Sequence, residues 1–271
     1  MKSIKVGILY ICTGKYSVFW DRFYRNSEKF FFKEKGVEKN YFVFTDDENI
    51  KPSQFVHVYK RSPQGFPLDS LMRFEIFLSI QNVLKEMDYV FFLNSNMDFV
   101  DYVGKEILPK NQLGLMGVLH PGYYNKDKKV LPYERNEKST AFIPFKRKVK
   151  YHYFMGGFNG GKTDSFLRLC NECNENIKKD QNKGILACFH DESHINKYFF
   201  NKDIHILDSS YGYPEDWALS IEPKCIILNK SKHFGNYFIK EYANPFLLPS
   251  PFEKNNIFKK AINIIKRKLN K

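Results

Sequence analysis

Two short polar stretches carry most of the chemistry this chain could do. Asn94-Ser95-Asn96 follows the apolar, aromatic run Tyr89-Val90-Phe91-Phe92-Leu93, and His190-Asp191-Glu192-Ser193 lies about a hundred residues later. The apolar run reads as a buried strand, and ligands of open α/β sheets sit just outside the carboxyl ends of strands. Aspartates there would hold a divalent cation against a diphosphate. Asparagine carboxamides donate and accept hydrogen bonds but bring no charge to a hard cation that prefers anionic oxygen. A transferase site built on Asn94 and Asn96 is therefore expected to need no metal. Taken alone, Asn-x-Asn is also the ordinary polar end of a strand, and Asp191-Glu192 could simply be acidic residues in the first turn of a helix, favoured by its dipole.

The elements that must position these residues alternate. Ile4 to Ile11 reads as a buried strand, followed by the turn Cys12-Thr13-Gly14-Lys15 and a helix from about Tyr16 to Lys35 that Gly36 ends. Strands are expected at Phe42 to Thr45, Phe55 to Tyr59, Tyr89 to Leu93 and Leu113 to Leu119. Helices are expected at Ser70 to Met87, Ser165 to Lys178 and Asp191 to Phe200. Such alternation implies a doubly wound, largely parallel sheet in a single α/β domain, and 271 residues suffice for a full core. The expected catalytic domain spans residues 1–245, with a Pro-containing linker and basic tail over 246–271.

Six blocks in order resemble glycosyltransferase family 6. They are the Gly7–Tyr16 stretch with its Cys12-Thr13-Gly14-Lys15 turn, Phe42–Asp46, Leu119-His120-Pro121-Gly122-Tyr123-Tyr124, Tyr133-Glu134-Arg135, Gly156-Gly157-Phe158-Asn159-Gly160-Gly161 and His190–Tyr198. The resemblance covers roughly residues 4 to 232. That family contains the blood-group A and B transferases, the α-1,3-galactosyltransferase and bacterial relatives with Asn-x-Asn. It implies a GT-A type, Rossmann-like fold and retaining transfer of GalNAc or Gal from a UDP-sugar, in α-1,3 linkage, to a galactoside acceptor that is fucosylated.

The resemblance also assigns roles. Glu192 would attack the anomeric carbon or stabilise oxocarbenium charge, and a carboxylate can do either. Asp191 would accept from a sugar hydroxyl. Ile11, Cys12, Thr13 and Tyr16 would hold uridine, Arg73 would reach the donor sugar and diphosphate, and Asn94, Ser95 and Asn96 would lie at the diphosphate. Its leaving charge needs a cation, for which Lys232 is the candidate. Met155-Gly156-Gly157 would set sugar choice: Gly157 leaves room for an N-acetyl group and favours UDP-GalNAc, whereas methionine at 155 accompanies galactose preference in the B transferase. On the acceptor side stand His120, Phe189, Glu215 and Trp217. Here the chain departs from the blood-group enzymes, with Pro132 before Tyr-Glu-Arg, Phe189 in place of Trp, and Pro214-Glu215 where they have an acceptor-binding Asp.

The formal net charge of +13 is concentrated in the tail. From Lys254 to Lys271 there are seven basic residues (Lys254, Lys259, Lys260, Lys266, Arg267, Lys268, Lys271) and no acidic ones, interleaved at helical spacing with Ile257, Phe258, Ala261, Ile262, Ile265 and Leu269. This is the pattern of a basic amphipathic helix on an anionic membrane surface, or of a helix packed on the domain with its lysines in water. Charge and aromatics together also suggest a nucleic-acid binder, but no recognisable platform motif accompanies them. Intact Glu192, Arg73 and glycine block argue against a sugar-binding relative without activity. With no secretory signal and no apolar run of 18 residues, the expected setting is cytoplasmic, with the tail at the inner face of the membrane. The acceptor would be an oligosaccharide, free or lipid-linked. The five cysteines, Cys170 and Cys173 among them, read as free thiols.

Overall fold

The computed structural model of the chain describes residues 3–146 and 149–234, without the side chain of Lys128. The expected linker and basic helix over 246–271 lie outside the described residues. In chain order the strands are β1 (Ile4–Ile11), β2 (Val37–Thr45), β3 (Val56–Lys60), β4 (Tyr89–Leu93), β5 (Met97–Phe99), β6 (Leu115–Leu119), β7 (Phe154–Lys162), β8 (His205–Leu207), β9 (Tyr213–Pro214) and β10 (Cys225–Ile227). The helices are α1 (Trp20–Phe30), α2 (Leu68–Leu71), α3 (Arg73–Leu78), α4 (Gln81–Leu84), α5 (Thr163–Asn182), α6 (His190–Phe199) and α7 (Lys230–Phe234).

Seven strands form the central sheet in the order β3-β2-β1-β4-β7-β6-β8. All run parallel except β7, which lies antiparallel between β4 and β6. Side chains alternate across this sheet as its two-residue period requires. Val6, Ile8 and Tyr10 of β1 and Phe91 and Leu93 of β4 point to the layer that holds Trp20 and Phe23 of α1. Leu9, Val90 and Phe92 point to the opposite layer, with Phe77 of α3, Phe166 of α5 and Ile195 of α6. Both faces are covered, as a doubly wound sheet demands. A small second sheet, β5-β10-β9, lies beyond the end of β4.

The structure differs from the sequence expectation at β2, which begins at Val37 rather than Phe42, and most at three further places. The first helix stops at Phe30, because Phe31 turns extended and bridges to Val103, and Phe32 then takes φ +44°. The helix expected over Ser70 to Met87 is three short helices, broken where Met72 and Ile80 have ψ near zero. The glycine block, for which no strand is expected, is the central strand β7. A Cβ on Gly160 would lie 2.3 Å from the Val90 carbonyl oxygen, and Gly161 takes φ +146° with its Cβ position 2.2 Å from the Gly114 carbonyl oxygen. Only glycine lets neighbouring backbones come this close.

Candidate active site

A cleft opens at the carboxyl edge of β1 and β4. Ile11, Thr13, Tyr16, Arg73, Asn94 and Ser95 line it, as do Phe66, Asp69, Ser70, Phe92 and Lys230. Six of the expected donor residues thus meet in one place although they come from three separate segments. Cys12 is packed in the core instead, its backbone bonded to Phe44 and Thr45, and burial pushes its thiol up to about 12.

Arg73 opens α3 at the cleft wall. Its Nη1 donates to the Gly156 carbonyl at 2.8 Å and pairs with Asp191 Oδ2 at 2.9 Å. The guanidinium lies 4.5 Å from the centre of the Phe92 ring, a cation–π arrangement. Its Nε and Nη2 are buried with no hydrogen-bond partner among the described residues. Buried guanidinium donors are costly to leave unmatched, so a bound anion or sugar hydroxyl is the partner this geometry suits.

Asp191 and Glu192 open α6, after Phe189 and at the left-handed φ of His190, +49°. Burial pushes the Asp191 carboxyl up to about 6, against the opposing pull of Arg73. Burial also raises Glu192, opposed by its hydrogen bonds and Arg73. Glu192 Oε2 accepts the Gly156 N–H at 2.6 Å, and Oε1 accepts the Tyr153 hydroxyl at 2.8 Å. β7 and the residue just ahead of it therefore hold both oxygens of the carboxylate. A Cβ on Gly156 would lie 3.3 Å from Asp191 Oδ2 and 3.4 Å from Glu192 Oε2, and one on Gly157 would lie 2.9 Å from Met155 Cε and 3.3 Å from Asn94 Nδ2. Met155 itself is buried and turned toward Gly212.

Two of the four expected acceptor residues, His120 and Phe189, lie beside Tyr153. Ring centres of His120 and Phe189 lie 5.8 and 6.5 Å from that of Tyr153. Trp217 is about half exposed and approaches Gly122, next to His120. Burial lowers His120 to about 4, and its Nδ1 accepts the Gly122 N–H at 3.0 Å. Glu215 lines a second groove with Trp217, Asn96 and Lys230, and its carboxylate accepts the Asn229 N–H at 2.9 Å.

Beyond the cleft-lining Phe66, Asp69, Ser70 and Phe92, two further residues of the site, Tyr153 and Lys230, did not come from sequence reasoning. Tyr153 stands two positions before Met155, a place no local signal marks. Lys230 lines the donor cleft and lies 5.1 Å over the Tyr16 ring, whereas Lys232, the expected cation, is half exposed and pairs with Asp216 and Glu215. Two positions, about half a turn, separate the two lysines on α7, and only the packed structure tells them apart.

Carboxylates near the end of β4 are already engaged. Asp98 is buried against Arg22 and Asn26, Asp69 accepts the N–H groups of Gln64 and Gly65, and Asp191 pairs with Arg73. Among the described residues, no three His, Cys, Asp or Glu side chains converge as a metal-holding group. At the strand end Asn94 and Asn96 present carboxamides, which bring no charge to a hard divalent cation.

A twisted, mostly parallel α/β sheet with a polar cleft at its carboxyl edge is the architecture of a GT-A type glycosyltransferase. Comparison with known proteins narrows this: the glycosyltransferase family 6 model matches residues 1–235, and the chain belongs to that family. It is 36% identical over 235 residues to the O-antigen biosynthesis glycosyltransferase WbnI of Escherichia coli, covering 85% of this chain and 98% of that one. It is 33% identical over 225 residues to the histo-blood group ABO system transferase 1 of Rattus norvegicus. It is 31% identical over 221 residues to the globoside α-1,3-N-acetylgalactosaminyltransferase 1 of Gallus gallus. These matches cover 79% and 77% of this chain and 62% of either relative. The protein is thus a hexosyltransferase that takes a nucleotide-sugar donor and a glycan acceptor.

Proposed function

We propose that the enzyme transfers GalNAc from UDP-GalNAc to a fucosylated galactoside, in α-1,3 linkage, with retention and without a metal. The observation that carries this reading is Glu192, clamped by Tyr153 and Gly156 between the donor cleft and the aromatic acceptor side. In this reading Ile11, Thr13 and Tyr16 hold the uridine, and the diphosphate lies near Asn94 and Lys230. The sugar lies over Gly156 and Gly157, with Arg73 and Asp191 on its hydroxyls. Gly157 supports GalNAc, since a methyl group there would crowd Met155 and Asn94.

During transfer the bond from the anomeric carbon to the diphosphate oxygen breaks, and the acceptor oxygen forms the new bond on the same face. The acceptor's proton leaves with the diphosphate oxygen. Lys230 is the cation that meets the departing negative charge in the cleft. Glu192 faces the positive charge that develops on the sugar. A carboxylate with both oxygens already hydrogen-bonded is a poorer nucleophile and a well-fixed counter-charge, which favours electrostatic support over covalent attack. By its likeness to the Escherichia coli O-antigen enzyme, the proposed product is a cell-surface glycan, made in the cytoplasm on a free or lipid-linked oligosaccharide.

Hydrolysis and transfer with UDP-GalNAc and UDP-Gal, each with and without EDTA, test the proposal. UDP-GalNAc is expected to be the better donor, with no loss in EDTA. A strict Mn²⁺ requirement would overturn the metal-free part, and preference for UDP-Gal the donor assignment.

A further inference from the structure

The two asparagines at the end of β4 do different things. The Asn94 side chain lines the donor cleft. Asn96 does not; it is 3% exposed, and its Nδ2 donates to the Leu228 carbonyl oxygen at 2.9 Å. The Leu228 N–H in turn donates to the Asn96 carbonyl oxygen at 2.8 Å. Residue 228 is therefore held at both its polar groups by one residue from a segment 132 positions away. The clasp continues the ladder in which Ile227 pairs with Met97, and two residues past it Lys230 enters the cleft beside Tyr16.

We infer that Asn96 is a positioning residue that sets Lys230 against the departing diphosphate and does not itself touch the donor. The inference rests on the proposed role of Lys230. Chemistry explains why this position carries a carboxamide. Asn offers an N–H to the Leu228 carbonyl while staying neutral in a buried site, which Asp cannot do. Aspartate would set a carboxylate oxygen about 3 Å from a carbonyl oxygen, and burying an unmatched charge is far costlier than losing a hydrogen bond. The remaining oxygen, Asn96 Oδ1, is buried with no hydrogen-bond partner among the described residues, so an aspartate would find no donor there either. Asn94 and Asn96 would thus avoid carboxylates for separate reasons: one faces the substrate, the other a backbone carbonyl.

The test is a double-mutant cycle on the full chain with Asn96→Ala, Lys230→Ala and both together, read as kcat/KM for the UDP-sugar, alongside hydrogen exchange of the peptide spanning 226–232. Residues acting through one another give non-additive effects, and independent ligands give additive ones. Expected are a roughly tenfold loss for Asn96→Ala, a larger loss for Lys230→Ala, and a double variant no worse than Lys230→Ala alone, with faster exchange over 226–232 in Asn96→Ala. Multiplying losses, or unchanged exchange, would overturn the proposal. Should Asn96→Ala not fold, Asn96→Ser enters the same cycle under the same criteria. Asn96→Asp adds a third reading: its loss should persist in Mn²⁺, and rescue by Mn²⁺ would place residue 96 at the diphosphate and overturn the inference. A wild-type protein that transfers from no UDP-sugar would defeat the proposed function alone, because the exchange arm still reads the clasp.

Discussion

Tyr153 donates its hydroxyl to Glu192 Oε1 at 2.8 Å, so the carboxylate on the first turn of α6 is fixed by a side chain just ahead of β7. Removing the charge tests the electrostatic role. Glu192→Gln keeps the shape, and should lose transfer on the order of a hundredfold or more while UDP binding persists, because the carboxylate acts mainly in the transition state. Tyr153→Phe should lose less, on the order of tenfold, and in kcat more than in KM. Near wild-type turnover of Glu192→Gln, with titration calorimetry reporting normal UDP affinity, would remove Glu192 from the chemistry.

The sequence showed some of this clearly and some not at all. Apolar strands such as Ile4–Ile11 and Tyr89–Leu93 agree with their expected bounds, because burial on both faces leaves an unbroken hydrophobic run. Asp191 and Glu192 were legible as well, being adjacent on one helix turn. β7 is harder to read, since a strand with four glycines has few side chains to show a period, and its glycines answer to neighbours distant in sequence. The distinct tasks of Asn94 and Asn96, and of Lys230 and Lys232, depend on what packs opposite them. No local pattern encodes that.

Donor choice should respond to Gly157→Ala. The added methyl would lie 2.9 Å from Met155 Cε, a flexible end that can yield, and 3.3 Å from Asn94 Nδ2 at the cleft wall. The variant should fold, yet the ratio of kcat/KM for UDP-GalNAc over UDP-Gal should fall about tenfold, the scale of a small steric change in a pocket. An unchanged ratio would show that the sugar's C2 substituent lies elsewhere.

Activity and stability should respond to acid through different groups. Asp191 titrates near 6, and Glu192 is raised beside it, so kcat/KM should rise with pH through an apparent value near 6 that belongs to the pair. His120, His190 and His194 are lowered by burial from 6.5 to about 4. The unfolded chain takes up these protons first, so their stabilisation is complete above about 6.5 and is lost as pH falls toward 4, at up to about 1.4 kcal/mol per pH unit for each group. Asp191, raised from 3.8, works the other way, its contribution being lost as pH rises toward 6. Glu192 and Asp69, also raised by burial, act with Asp191, and His152, also lowered, acts with the three other imidazoles; the imidazoles outweigh the carboxylates between pH 7 and pH 5. Tm by circular dichroism should therefore be lower at pH 5 than at pH 7, and an equal or higher value at pH 5 would contradict the burial of these imidazoles.

Among the described residues, no helix is long and apolar enough to cross a membrane; a surface attraction through the basic stretch is the membrane contact the sequence suggests. Seven basic residues between Lys254 and Lys271, with an apolar stripe at helical spacing, suit an anionic leaflet at roughly 1 kcal/mol per basic residue near the surface. The apolar stripe would add its own burial. The full chain should bind anionic vesicles at low salt and release as salt screens the charge. Deleting residues 252–271 should abolish that binding and leave turnover on a soluble fucosylated galactoside within about twofold. Vesicle flotation and a soluble-acceptor assay on the same preparations decide the matter. Binding that survives the deletion would rule out the tail as the membrane contact, and loss of soluble activity would show instead that the tail packs on the catalytic domain.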